Sequence, residues 1–428
     1  LGITFSPDGT YLYLTRNDKS DVSALYQVAL PGSAPRKIRD GVDSPVSFSP
    51  AGDRFAFVRF KRNGSRNTGD FYLMTAPVDG AEELTIATRS GGNRLSTDGP
   101  AWSPDGKTVV CATGWWDTGY HMNLVEFDVT DKHEKPLSQQ QWGSILQAVW
   151  LEDKSGLIIS ARDQWTSPFQ LWRISYPQGT SFKITNDTAE YESVSLSRNG
   201  KTIVSVHTDR EARVFVAPDG DALRAKSIAA STSGYKYGLN WNGNGKLVYS
   251  AMAGSNLSIS AINADGSDPT QLTVNAGDNF TPATSSDGRF IVFASNRTGS
   301  LNIWRMNAND GSDPRQLTFT DGNSYPSCSP GGQWVLYDNL TGGTTTLWKV
   351  PIDGGDPVRL IDKSARMPVA SPDSQFFACS YYGGDEPRGV AIFPFQGGPM
   401  TRLIPIPIRE WQRVQWIDAR RAACRPPA

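Results

Sequence analysis

The chain has 428 residues, a net charge of −1, 38% apolar and 20% charged side chains. That length can bury large cores, and the charge balance supplies no global field to draw nucleic acid or an anionic membrane. No apolar run approaches the roughly 20 residues needed to cross a bilayer.

The reading in chain order begins with a strand almost at Leu1. With no initiator Met and no signal peptide before it, the chain reads as a piece cut from something longer. FSPDG at Phe5–Gly9 then returns as FSPAG to Gly52, WSPDG to Gly106, LEDKSG to Gly156 and LSRNG to Gly200. It continues as WNGNG to Gly245, SSDG to Gly288, CSPGG to Gly332 and SPDS to Ser374. The intervals are 43, 54, 50, 44, 45, 43, 44 and 42 residues, the period of a propeller blade. RFKRNGSR, with Arg59, Lys61, Arg62 and Arg66, reads as a solvated hairpin tip rather than a phosphate patch.

The copy from Phe280 to Thr318 shows the unit most clearly. A strand ends at Ser285, and Asp287-Gly288 is expected to supply the positive φ angles of a tight turn. RFIVFAS reads as a buried second strand, LNIWRMN as a third and Arg315–Thr318 as a short outer one. Four antiparallel strands in about forty residues make one blade. The third strand recurs around Trp172-Arg173, Trp304-Arg305 and Trp348-Lys349, and the outer one as QLT at Gln271–Thr273 and Gln316–Thr318. Near the end, RVQWID opens a tenth repeat, and the ARRAACRPPA that follows has no strand character, as in a truncation or altered frame.

NADGSDPTQLT at Asn263–Thr273, SNRTGSLNIWRMNANDGSDPRQLT and the SPDG anchors resemble the repeats of the TolB-like propeller family. The same group covers propellers of prolyl-oligopeptidase-type peptidases and of bacterial membrane-bound Ser/Thr kinases. The order of features, including VAPDGDALRA at Val216–Ala225, looks most like the sensor region of those kinases. The resemblance implies an all-β fold of four-stranded blades and an extracytoplasmic role within a longer signalling protein. It is specific for fold and weak for function.

Nine repeats exceed the four to eight blades of a usual ring. The expected organisation is two consecutive incomplete propellers, 1–230 with five repeats and 231–428 with four plus a truncated tenth, the seam falling near Ala225–Tyr237. The alternative is one nine-bladed ring or arc.

Catalytic constellations are thin. There is no GxSxG elbow, and no kinase GxGxxG, HRD or DFG. The three histidines, His121, His133 and His207, have no second His at metal-ligand spacing, and the cysteines read as buried free thiols. No enzyme, metal or cofactor is expected. The expectation is a binding module for a protein, peptide or small ligand at the channel mouth, with no nucleic-acid partner and no membrane insertion.

Aromatics mark the candidate face. Tyr191, Tyr237, Phe280 and Tyr325 stand seven to nine residues before successive anchors, with Trp411 in the same place if the last repeat is anchored near Ala419. They are assigned to the loop leading into each inner strand. The loop between second and third strands carries Trp115, Trp116 and Tyr120, then Trp165 with Phe169, and in the ninth repeat Tyr381 and Tyr382. Such side chains give much contact area at small entropic cost, and equally serve as wedges between blades.

Overall fold

The computed structural model describes the chain apart from residues 1, 18–22, 63–68, 80–81, 92, 116–120, 165–166, 198–199, 210–211, 232–237, 255, 342–343, 384–386, 407–413, 419–420 and 425–428. The anchor phrase explains itself chemically. The hydroxyls of Ser6, Ser103, Ser285 and Ser371 donate to the carboxylates of Asp8, Asp105, Asp287 and Asp373 at 2.5–2.7 Å. Each hydroxyl also accepts the backbone N–H that opens the second strand, at Tyr11, Thr108, Phe290 and Phe376. The motif is thus a side-chain-locked turn joining first and second strands.

Only the last residue of the turn adopts a positive φ, for example 71° at Gly288 and 74° at Gly52. Asp287 does not share it, as the Asp-Gly signal had implied; the aspartate acts through its carboxylate instead. In the fourth repeat Lys154, with φ 58°, holds this position in place of Gly156, which moves that anchor two residues upstream. The glycine is also a packing requirement. A Cβ on Gly288 would meet the backbone of Gly243 in the preceding anchor at 2.8 Å.

Among the described residues, seven antiparallel sheets of four strands and one of five follow the repeats, and we number the blades by repeat. The first four blades have their inner strands at Ile3–Phe5, Ser47–Phe48, Ala101–Trp102 and Ser144–Trp150. Blade 3 gains a fifth strand, Arg94–Leu95. Blades 6 to 9 begin at Leu239–Trp241, Asn279–Thr284, Asn323–Cys328 and Ala365–Ala370. The fifth repeat forms three two-stranded pairs rather than one blade: Glu190–Tyr191 with His207–Thr208, Ser195–Leu196 with Ile203–Val204, and Ala212–Val216 with Lys226–Ser231. At the C-terminal side Val414–Asp418 is a strand as expected, but Arg421–Cys424 pairs with it, so the RAAC of the expected strandless tail does have strand character. Arg59 and Lys61 likewise lie within the strand Arg54–Arg62, not in a turn.

The chain divides into two compact units, 1–209 and 210–428. In each, the second and third strands alternate faces so that successive blades bury a shared apolar layer. Leu124, Trp142, Leu157 and Ile174 fill the layer between blades 3 and 4 in the first unit. In the second, Ala212–Ser231 covers blade 6 through Val214, Leu247, Tyr249 and Ile262, and Trp416 of the last pair packs on blade 9.

The third-strand cation links blades. Arg305 lies 4.1 Å from the Phe290 ring centroid and reaches to 3.7 Å from Asp353 of the next blade. Lys349, only 2% exposed, donates to the Phe395 carbonyl at 3.1 Å and Gln396 Oε1 at 2.8 Å. Burial lowers its pKa, which the rings of Trp334 and Phe395 at 4.8 and 4.7 Å offset by cation–π attraction.

Candidate functional site

In the second unit the links between blades and the turns between second and third strands share one end. Asp278 N–H donates to Asn296 Oδ1 at 2.7 Å, Leu301 N–H to Asp321 Oδ1 at 2.8 Å, and Tyr382 N–H to the Ser364 carbonyl at 2.9 Å. Buried amides extend this lattice. Asn323 Nδ2 donates to Asn302 Oδ1 at 3.1 Å, and Asn339 Nδ2 to Asn323 Oδ1 at 2.9 Å. The QLT threonine is part of it: Thr318, fully buried, accepts the Ile303 amide and donates to Asn302.

On this rigid base stands Phe319, 79% exposed, with Val274 at 62% in the equivalent place one blade earlier. The sequence reading passed over both. Their signal was an apolar residue directly after each QLT, where a solvated link calls for none.

The predicted aromatics are distributed otherwise than expected. Phe280 and Tyr325 lie inside inner strands, not in the links before them, and Phe280 packs on the layer between blades 7 and 8. Tyr191 lies in the strand Glu190–Tyr191, meets the His207 ring at a tilt with centroids 5.2 Å apart and donates to Asp187 at 2.9 Å, a bond that raises its own pKa. Tyr381 closes the second strand of blade 9 and is fully buried, so it does not belong to the loop; Tyr382 does, half-buried. Phe169 is buried beneath Arg162 at 3.7 Å. Trp115 ends the strand Thr108–Trp115, while Trp116, Tyr120, Trp165, Tyr237 and Trp411 lie outside the described residues.

Blades 8 and 9 bring several of these together with charge. Arg366 lies 5.3 Å from the Tyr325 ring, and Arg388 lies 5.5 Å from that of Tyr382. Arg366 Nε is 3.2 Å from the fully buried Asp338, which also accepts Ser324 Oγ at 2.6 Å. Burial pushes the Asp338 carboxyl up, and Arg366 opposes it. Burial likewise raises the Tyr382 phenol. In blade 7, Arg297 lies 4.7 Å from the Trp304 ring and donates to Asn279 Oδ1 at 2.7 Å.

Three inner strands carry backbone strain at the same point. Thr281, Tyr325 and Met367 have φ of 53°, 50° and 55°, each immediately before a proline and each at a break in register. This conformation costs about 1–3 kcal/mol per residue and clusters at functional sites.

Guanidinium groups stacked on aromatic rings are suited to binding carboxylates and peptide groups. The thiols of Cys111 and Cys328 are pushed up to about 12 by burial, which keeps them protonated at neutral pH. Among the described residues no group of three or more His, Cys, Asp or Glu side chains is placed to hold a metal ion. No helix of the described residues is long and apolar enough to cross a membrane.

The profile of the PD40 family, the TolB beta propeller domain, matches residues 210–387. The match covers less than half of the chain, and over those residues the chain is similar to a TolB-like β-propeller domain. Dipeptidyl-peptidase 5 of Aspergillus fumigatus is 28% identical over 159 residues, covering 37% of this chain and 21% of the enzyme. The human peptidylprolyl isomerase domain and WD repeat-containing protein 1 is 31% identical over 101 residues, 22% of this chain and 15% of that protein. The chain therefore matches less than a quarter of the length of each. Among solved structures, TolB from Acinetobacter baumannii aligns with 80% of this chain and 78% of its own at 14% identity and a TM-score of 0.33.

Proposed function

We propose that the chain is a non-catalytic binding module that captures a protein, peptide or small ligand at the link end of its blades, the channel-mouth face of a propeller. The observation that carries this reading is Phe319: an aromatic 79% exposed, on a link whose preceding residue is fully buried and hydrogen-bonded. An apolar ring held in water by a rigid base is the arrangement of a recognition anchor. The arginine–aromatic pairs of blades 8 and 9 offer polar groups for the same reading.

In the fuller form of this reading the chain is the extracytoplasmic sensing part of a larger signalling protein resembling the bacterial Ser/Thr kinases, built as two consecutive propeller segments. A TolB-like docking accessory is the alternative within the same chemistry. The match to dipeptidyl-peptidase 5 favours a second reading, the substrate-gating propeller of a peptidase whose hydrolase domain lies elsewhere.

The test is to pan the immobilised chain against a random peptide display library and titrate the selected peptides. Phe319→Ala combined with Tyr325→Ala is expected to lower their affinity at least tenfold, with alanine at Trp115, Trp116 and Trp165 reading out the first unit. Unchanged binding, or loss of binding only with loss of thermal stability, rejects the proposal.

A further inference from the structure

Arg297 sits at the link end of blade 7, in the turn between the strands Phe290–Ser295 and Asn302–Asn307. Two side chains that are themselves buried set its guanidinium in place. Nε donates to Ser295 Oγ at 3.0 Å and Nη2 to Asn279 Oδ1 at 2.7 Å, on residues 0% and 1% exposed. Asn279 is fixed in turn, its Nδ2 donating to the Gly277 carbonyl at 2.8 Å. The rings of Phe293 and Trp304, their centroids 5.1 and 4.7 Å from the guanidinium carbon, add cation–π attraction. Nη1 is left over. It has no acceptor among the described residues, on a side chain partly open to solvent.

The charge of this group is not matched. Burial lowers its pKa, and no carboxylate of the described residues pairs with it. Asp278, next to the same turn, accepts the Leu257 amide at 2.9 Å and Asn296 Nδ2 at 3.3 Å instead. Elsewhere Arg305 reaches Asp353, Arg366 pairs with Asp338, and Arg59 binds Glu83. A partly desolvated cation held only by neutral acceptors is suited to an anion from outside. A carboxylate fits best, because one planar negative group balances one guanidinium edge. A phosphate dianion would leave a charge over beside the buried Asp278. The neighbouring link carries apolar surface for the rest of such a ligand. A Cβ on its Gly277 would meet Cα and N of Arg297 at 3.2 and 3.3 Å, and Val274, three residues earlier, is 62% exposed.

We propose that Arg297 is a carboxylate-binding residue of the link-end face, so that this face selects peptides bearing a free C-terminus or an Asp or Glu side chain. This assignment rests on the link-end reading and names the ligand class for it.

The test is an array of random heptapeptides, made once with a free C-terminus and once as the amide, read with the whole labelled chain. Bound peptides are expected to be enriched at least fivefold in acids. A bias to the free-acid set assigns the C-terminus, and a bias to Asp or Glu in both sets assigns a side chain. Fluorescence polarisation then compares each bound peptide with its amide counterpart, carrying a C-terminal amide, Asn or Gln. The exchange should weaken binding at least tenfold in the parent chain and less than twofold in Arg297→Gln. Arg297→Lys, which keeps the charge and disturbs the fold least, should cut the preference at least threefold. Peptides that depend on Phe319 yet bind equally as acid and amide would overturn the assignment and leave the link-end reading standing. So would an acid preference undiminished in both variants. An array with no bound peptide overturns both.

Discussion

Ser285 shows how one hydroxyl sets a turn. It is 4% exposed, donates a hydrogen bond to Asp287 and accepts one from the Phe290 amide, itself buried. Ser285→Ala strands that amide, at a cost of about 1–3 kcal/mol in urea unfolding of the second unit. Ser6→Ala, in the exposed copy of the same turn, should cost clearly less. The Ser285 hydrogen bond, with help from Arg289, holds the Asp287 carboxyl down to about 2 from its ordinary 3.8. The sign follows from that depression. The ionised form stabilises the fold above the ordinary value, and this contribution is lost as pH falls from about 4 to about 2. Acid titration of unfolding midpoints should therefore show less change over that window in Asp287→Asn than in the parent. At Thr281 the strain makes an opposite forecast. Thr281→Gly relieves a left-handed β-branched residue and should keep or raise the urea midpoint. Thr345→Gly, in a buried strand position without positive φ, should lower the midpoint, by a loss of stability of about 1 kcal/mol.

Between elements, blades are joined by apolar layers and by a few charged clamps. Glu83 accepts from Arg59 through both carboxylate oxygens, at 2.6 and 2.8 Å, and also pairs with Arg39 of blade 1. The hydrogen bonds of Arg59, opposed by burial and aided by Arg39, lower its pKa from 4.5 to about 2. The clamp is thus fully formed above pH 4.5 and released as pH falls towards 2. Glu83→Gln should weaken the contact of blades 1 and 2 by about 1–3 kcal/mol, read as faster amide exchange in Tyr11–Asn17 and Ser23–Ala29 than in Gly156–Arg162. The anchors, the tryptophan–cation pairs and QLT were all legible at this scale because each answers a local demand: a turn, a buried strand, a threonine that accepts a neighbouring amide. Their partners in the next blade, such as Asp353 for Arg305 or the Phe395 carbonyl for Lys349, stand 46 to 48 positions away and carry no local mark.

For the whole molecule, the period of the anchors determined the all-β class, the four-stranded blade and the order of strands. A repeat that must bury both faces on its neighbours leaves that rhythm in every copy. The sequence also marked aromatic side chains near the blade ends, but could not separate burial from display. Tyr381 and Phe319 are both aromatics near a blade end, yet one is fully buried and the other 79% exposed. That difference depends on which side of a strand faces the adjoining blade, a relation between segments some forty residues apart. The division of the fifth repeat into three pairs and the Arg366–Asp338 pair were likewise decided only in three dimensions. Local hydrogen bonding and alternation are written along the chain, whereas desolvation and approach between blades arise only when distant strands pack.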